Sequence, residues 1–244
     1  MVCGKTKIKE WKGGIIIENL SEELMEELTV ETSFTIPIFG GIAVAESVVA
    51  TWGIMAVLLV ASLVLTRNLQ VRNLSKKQRI LEVGVDWLYR FFEDIMGSHG
   101  RRYIPYLSAV AIYLAIANLI GLIGIKPPTK DLGVTAGLAL MSIILIEYAG
   151  IHEKGVKNWL KGFAEPIPII APITVLEVFI KPLSLCMRLF GNVLGAFVVM
   201  ELIKIIVPII VPVPFSFYFD IFDGLIQAYV FVFLTSLFIR EMVE

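Results

Sequence analysis

The chain has 244 residues, 57% of them hydrophobic, with a mean hydropathy of +0.82 and a formal net charge of −1 at pH 7. Soluble domains are nearer about 45–50% apolar, and a near-neutral chain lacks the basic footprint that nucleic acid would require. The two cysteines, Cys3 and Cys186, provide neither a disulfide framework nor a metal-ligand spacing.

Along the chain, residues 1–40 read as an N-terminal surface tail. The stretch MVCGKTKIKEWKGGIIIENLSEELMEELTV is mixed in charge and lacks the apolar core of a secretory signal. A short helix is expected through SEELMEEL. Residues 41–244 read as a single membrane-embedded domain. The first span is expected at Ala45–Thr66, AESVVATWGIMAVLLVASLVLT, closed by Arg67. SKKQRILEVGVDWLYRFFEDIM follows, with Ile80, Val83, Trp87, Tyr89, Phe91 and Ile95 interleaved with charges. That pattern is too polar to span and fits an amphipathic helix lying in the interface.

A second span is expected at Tyr103–Ile125 and a third at Val134–Ile151. Between them Pro127, Pro128, Thr129, Lys130 and Asp131 make a turn, so the pair forms a helical hairpin. The fourth segment runs from Ala171 to Val207, on the order of 50 Å of helix at 1.5 Å per residue. The hydrocarbon core is only ~30 Å thick, so this helix must tilt or bend, with Pro182 and Gly191 as candidate bending points. The last span is expected at Phe215–Ile239. The fold class is therefore an all-α polytopic membrane protein, with five transmembrane helices plus an interfacial amphipathic helix, the last two helices long and strongly tilted.

Basic residues set the expected orientation. Arg67, Arg72, Lys76, Lys77, Arg79, Arg90, Arg101 and Arg102 fall on one side, joined by Lys154, Lys157, Lys161 and Arg240. With that side cytoplasmic, the N-terminus lies outside and the C-terminus inside a cell membrane.

The residue that most needs explaining is Arg188, inside ITVLEVFIKPLSLCMRLFGNVLGAFVVMELIKIIV. A charge at bilayer depth costs about 2.5–3.5 kcal/mol on insertion scales and is kept only facing protein or water. At 100° per residue, Glu177 and Lys181 lie about 20° from Arg188, and Ser184 and Asn192 about 40°. These five residues form one polar stripe on an apolar helix. By the same reckoning Asp220, Asp223 and Gln227 fall within about 60° of each other on the last helix. The pattern puts acidic groups toward each face of the membrane and a permanent cation between them. Carboxylates exchange ions readily when their surroundings change, whereas arginine keeps its proton.

Other readings are compatible with the same phases. Arg188 is either a functional cation or the structural ion-pair partner of Glu177 or an aspartate. Asp220 and Asp223 line either a pathway or the solvated headgroup zone. Glu147 is either a solvated helix-end residue or a wall of the inner pathway, and Asn118 reads as interhelical glue. His99 and His152 read as interfacial residues, with no spacing that supports a metal.

RLFGN at Arg188–Asn192, preceded by KPLSL and followed in the last helix by LIQAYVF, resembles subunit a of the F-type rotary ATP synthase. The order of one span, a charged interfacial helix, a PP-turn hairpin and two long C-terminal helices extends the resemblance over most of the chain. It implies a non-catalytic stator subunit that translocates protons or sodium ions. The partners implied are a ring of subunit c, the peripheral-stalk subunit b and the lipid bilayer; no cofactor and no nucleic acid are implied. Arg188 matches the arginine that faces the ring's carboxylate. Asn192 and Gln227 match polar residues of the same interface, and Glu177 resembles the acid of the inner half-channel. Asp220 stands seven residues before the glutamine, where His or Glu is common, which implies that Asp220 and Asp223 carry the outer half-channel alone. The chain departs from the pattern at Phe197, where many members carry Glu or His. A secondary ion transporter is the alternative reading, disfavoured by the absence of an internal repeat. An intramembrane enzyme would need a nucleophile–base pair or a metal motif, and none is visible.

Overall fold

The computed structural model describes residues 32–36, 42–67, 69–70, 75–97, 99–162, 171–206 and 212–243. Five helices among them are long and apolar enough to cross a membrane. In chain order these are α1 (Glu46–Thr66), then the span Gly100–Ile123 containing α3 (Ile104–Leu119), then α4 (Leu132–Gly162), α5 (Ala171–Ile206), and a last segment. The last segment consists of α6 (Pro212–Ser216), a π-helical turn (Phe217–Asp223) and α7 (Gly224–Val243). The amphipathic helix α2 (Lys76–Met96) lies between the first two spans. The polytopic, helical architecture is as the apolar runs predict. The short helix expected through SEELMEEL lies outside the described residues.

Three differences from the sequence reading matter. The first is a two-stranded antiparallel hairpin before α1. Its strands β1 (Thr32–Ile36) and β2 (Ile42–Ala45) pair Phe34 with Val44 and Ile36 with Ile42. The signal was available in the β-branched residues on either side of a Pro/Gly-containing segment. Second, α4 runs to Gly162, eleven residues past the expected end, with a break at Gly155, where φ is 74°. Only glycine adopts that conformation without strain, so the polar HEKGVKNWLKG stretch stays helical but turns away from the span. Third, the π-helical turn replaces the regular α-helix expected from residue 215.

α2 shows why it does not span. Ser75 caps its N-terminus, its side chain accepting from the Gln78 N–H at 3.3 Å. Ile80, Val83 and Trp87 are exposed, whereas Phe92 and Met96 are buried. The C-terminal half packs on α7 through Phe91 and Tyr229, with ring centroids 5.6 Å apart. Arg240 Nη1 donates to the Ile95 carbonyl at 3.3 Å.

Membrane helices associate by close packing and polar staples, because lipid is as apolar as leucine. Here α4 packs on α5 and α7, and α3 on α7, around fully buried Leu107, Leu114, Ile146, Leu185, Leu189 and Ile239. α1 stands apart with most of its surface uncovered. It is held at its N-terminal end, where Ser47 Oγ donates to Asp131 Oδ2 and Tyr113 Oη donates to Thr51 Oγ1 at 3.2 Å. Asp131 also caps α4, its Oδ1 accepting from the Gly133 N–H at 2.8 Å.

The contacts sort the helix ends into two groups. One end of the bundle holds Arg102 against His152, 2.7 Å apart, the Lys181–Glu241 pair, and Arg240 on α2. The other holds the Ser47–Asp131 contact, the hairpin turn, the π-helical turn and the Lys130–Phe197 contact. The first end, which holds Arg102, Lys181 and Arg240, is labelled the inner end below and the second the outer end, labels taken from the orientation expected of the basic residues.

Candidate functional site: a cation between two cavities

On α5, Leu185, Cys186, Leu189 and Val193 are buried against the bundle. Cys186 is thus a packing residue, its Sγ 3.6 Å from Thr135 Oγ1. Glu177, Ser184, Arg188 and Asn192 point the other way and are exposed, among Ile180, Leu183 and Met187, which are also exposed. Ser184, Arg188 and Asn192 therefore lie on the outer surface of the chain, whereas Glu177, also exposed, lines a cavity between α4, α5 and α7. Lys181 departs from that surface, bending toward α7. Its Nζ meets Glu241 Oε2 at 3.0 Å and lies 5.2 Å from the Phe238 ring centroid.

Among the described residues Arg188 makes no hydrogen bond or ion pair, and neither does Glu177. The structural reading, in which Arg188 pairs with Glu177 or an aspartate, is not what the fold provides. The surface beside the guanidinium is flattened by Gly191 and Gly195, both exposed with open space where a Cβ would stand. Small residues four apart on a membrane helix admit close approach by another helix. The sequence carried this signal in GNVLG, one turn beyond the arginine, and the helical phases of the polar residues alone did not reveal it.

Two cavities open at opposite ends of the bundle. The outer one, ≈ 710 Å³, is lined by Asn118, Gly121 and Lys126 from the hairpin, Val193, Phe197 and Lys204 from α5, and Ser216, Asp220 and Asp223 from the last segment. The inner one, ≈ 190 Å³, is lined by Glu147, Lys154 and Trp159 of α4, Glu177 and Lys181 of α5, and Glu241 of α7. Along α5 the inner cavity ends at Lys181 and the outer begins at Val193. That interval is about 18 Å of helix, and Arg188 lies near its middle.

The outer acids are placed by irregular backbone. A π-helical turn bonds i to i+5 and shifts the phase of everything before it, so the α-helical angles for Asp220 and Asp223 do not apply. Both nevertheless face the cavity. Asp220 accepts from Ser216 Oγ, and Asp223 Oδ1 accepts from Gln227 Nε2 at 3.3 Å. Gln227 itself is buried at 6% exposure, so the structure places it inside the bundle and not on the Arg188 face. Its amide is occupied in holding Asp223 one turn away. Asp220 lies over Gly121, where a Cβ would come within 2.9 Å of its Oδ1.

Below them Asn118 is interhelical glue, as its position predicts. Its Nδ2 donates to the Gly224 carbonyl at 2.8 Å, and its Oδ1 accepts from Thr129 Oγ1 at 2.7 Å. Phe197, the position that departs from the family pattern, lies on the outer cavity with Lys130 Nζ 4.3 Å from its ring centroid. A cation–aromatic contact stands where an acid would pair with it.

The inner cavity holds residues that the sequence left unassigned or did not single out. Glu147 is one of its walls, half-buried beside Trp159. Trp159 and Glu241 were not anticipated, because their approach depends on the break in α4 and on α7 reaching Val243.

Fold and site together define a multi-pass helical membrane protein with two cavities that each carry charged side chains and an outward-facing arginine between them. The ATP synthase A chain family model matches residues 48–240. ATP synthase subunit a of Moorella thermoacetica is 37% identical over 206 residues, 84% of this chain and 94% of that protein. ATP synthase subunit a of Trichlorobacter lovleyi is 36% identical over 207 residues, 83% of this chain and 89% of that protein. A sodium-ion-specific ATP synthase subunit a, from Propionigenium modestum, is 30% identical over 216 residues, 82% of this chain and 74% of that protein. The chain belongs to the ATP synthase A chain family, the a subunits of F-type ATP synthases.

Proposed function

We propose that this chain is the stationary, non-catalytic subunit that carries the coupling ion, proton or sodium, through the membrane part of the complex. The outer and inner cavities act as two offset half-channels, and Arg188 acts at the seam between them. An ion enters the cavity on one side and loads a carboxylate on a rotating ring of subunit c. It travels with the ring and leaves through the other cavity. Asp220 and Asp223 serve the outer half-channel and Glu177 the inner, while Asn192 borders the ring beside Arg188. Gln227 supports Asp223 from within. Residues 41–244 work as one membrane domain, with the N-terminus outside and the C-terminus in the cytoplasm, and the peripheral-stalk subunit b holds the chain still.

The observation that carries this reading is the unpaired, outward-facing Arg188 in an apolar surface. Lipid cannot accommodate it cheaply, so the reading supplies a protein surface with a complementary charge. Because its own cation is permanent, the arginine blocks an ion from running directly between the cavities. It also favours the ionised state of a carboxylate brought opposite it.

The test is ATP-driven ion uptake by inverted membrane vesicles carrying Arg188→Ala, with and without sodium. Uptake is expected to fall to background while the ATPase head stays bound to the membrane. Uptake equal to that of unmodified vesicles would overturn the role given to Arg188.

A further inference from the structure

Two glycines bring Trp159 to Glu147 on the inner cavity. Trp159 lies twelve residues further along α4, about 18 Å away on a straight helix, yet its Nε1 donates to Glu147 Oε2 at 3.1 Å. The break at Gly155, at φ 74°, folds the end of α4 back to make that contact. Gly150 permits it: a Cβ there would lie 3.2 Å from Trp159 Cδ1 and 3.1 Å from Met242 Cε. The indole holds Oε2, while Oε1 accepts no hydrogen bond among the described residues of a side chain that lines the cavity.

The other charges on this cavity are Lys154 from α4, Glu177 and Lys181 from α5, and Glu241 from α7. Lys181 is engaged by Glu241 at 3.0 Å. A structural acid in such a place would be expected to hold an ion pair. Glu147 makes none among the described residues, its bond coming instead from a neutral donor. One neutral hydrogen bond fixes the position of a carboxylate without locking it into its ionised form.

We infer that Glu147 is a second ion-relay carboxylate of the inner half-channel, working in series with Glu177, and that Trp159 is its positioning residue. The inference rests on the proposed function and extends it. Oε1 of Glu147 takes up the ion from cytoplasmic water and passes it to water shared with Glu177. For a proton, an O–H bond forms on the carboxylate as one breaks in hydrated hydronium, and the reverse happens on transfer to the shared water. For sodium no covalent bond changes, and in both cases the carboxylate returns to its ionised state as the ion leaves. The ion's chemistry is that of a monovalent cation exchangeable at a carboxylate, and sodium dependence separates the two candidates.

Inverted vesicles expose the cytoplasmic face to the medium, so ATP-driven uptake begins at the inner cavity. Glu147→Gln keeps the acceptor for Trp159 but removes the exchangeable charge. Uptake is expected to slow by about tenfold, with the medium pH, or sodium concentration, for half-maximal rate displaced and the ATPase head still bound. Trp159→Phe is expected to displace the same midpoint with a smaller loss of rate, which a merely structural role would not do. If Glu147→Gln fails to assemble, Glu147→Asp is read for the midpoint alone. An unchanged rate and midpoint in the Gln variant, or an unchanged midpoint in the Asp variant standing in for it, overturns the inference. Arg188→Ala vesicles run in parallel keep the two failures apart. If they lose uptake while the Glu147 variants stay normal, only this inference falls; if they pump normally, the reading beneath it falls.

Discussion

The two cavities are shaped by different kinds of backbone. The outer one, ≈ 710 Å³, is shaped by a π-helical turn, a Pro-Pro hairpin turn and the polar staple at Asn118. The inner one, ≈ 190 Å³, is shaped by ordinary α-helices, one of which is bent back at a single glycine. At the outer end the irregular backbone aims the acids, and each aspartate is tied to a neighbour in its own segment. At the inner end the acids come from regular helices, and the bend determines what they meet. Both ends use a glycine to bring helices close, Gly121 under Asp220 and Gly150 under Trp159.

Neutralising the outer acids is the strongest way to break this comparison. Asp220→Asn together with Asp223→Asn is expected to cut ATP-driven uptake to about a tenth or less. The variant keeps both side-chain hydrogen-bond acceptors, and therefore assembly. Uptake near the unmodified rate in vesicles with normal head binding would return the aspartates to the solvated headgroup zone.

Crowding the two glycines gives a smaller effect and tests whether each cavity depends on close approach. Gly121→Val forces Asp220 to move, and Gly150→Val forces Trp159 or Met242 to move. Each is expected to slow uptake by about fivefold, the equivalent of about 1 kcal/mol. The Gly150 change alone should displace the medium midpoint, since only it acts on the cavity that opens to the medium. Equal displacement by both would show that the two ends are not independent.

Asn118→Ala is expected to have the least effect on transport and to act on stability, by about 1–2 kcal/mol for the staple between helices. The check is the detergent concentration or temperature at which the chain leaves its complex. A large loss of transport without a loss of stability would move Asn118 from the framework into the pathway.

Much of the molecule is legible without coordinates. Span lengths, the interfacial α2, the hairpin turn at Pro127–Pro128 and the polar stripe around Arg188 all follow from local rules. Lipid demands about 20 apolar residues per crossing, and a regular helix repeats its phase at a fixed angle. The resemblance of RLFGN and LIQAYVF to the family was readable too, because short motifs survive as sequence. The strands before α1 carry a β-branched signal too, a faint one beside the long apolar runs of the helices.

Other features needed the third dimension. The π-helical turn cannot be deduced from FYFDIFD, since one shifted hydrogen bond changes the phase without altering composition. That Gln227 turns inward while Asn192 turns outward depends on which faces of α5 and α7 the bundle covers. The meeting of Glu147 and Trp159 depends on a positive φ at Gly155, which sequence permits at any glycine and only packing selects. The amino-acid sequence alone determined that this chain crosses a membrane with a buried-depth arginine on a polar stripe. Tertiary structure decided that the arginine faces outward and unpaired between two cavities, because a helix's phase is local but the choice of which phase is covered belongs to its neighbours.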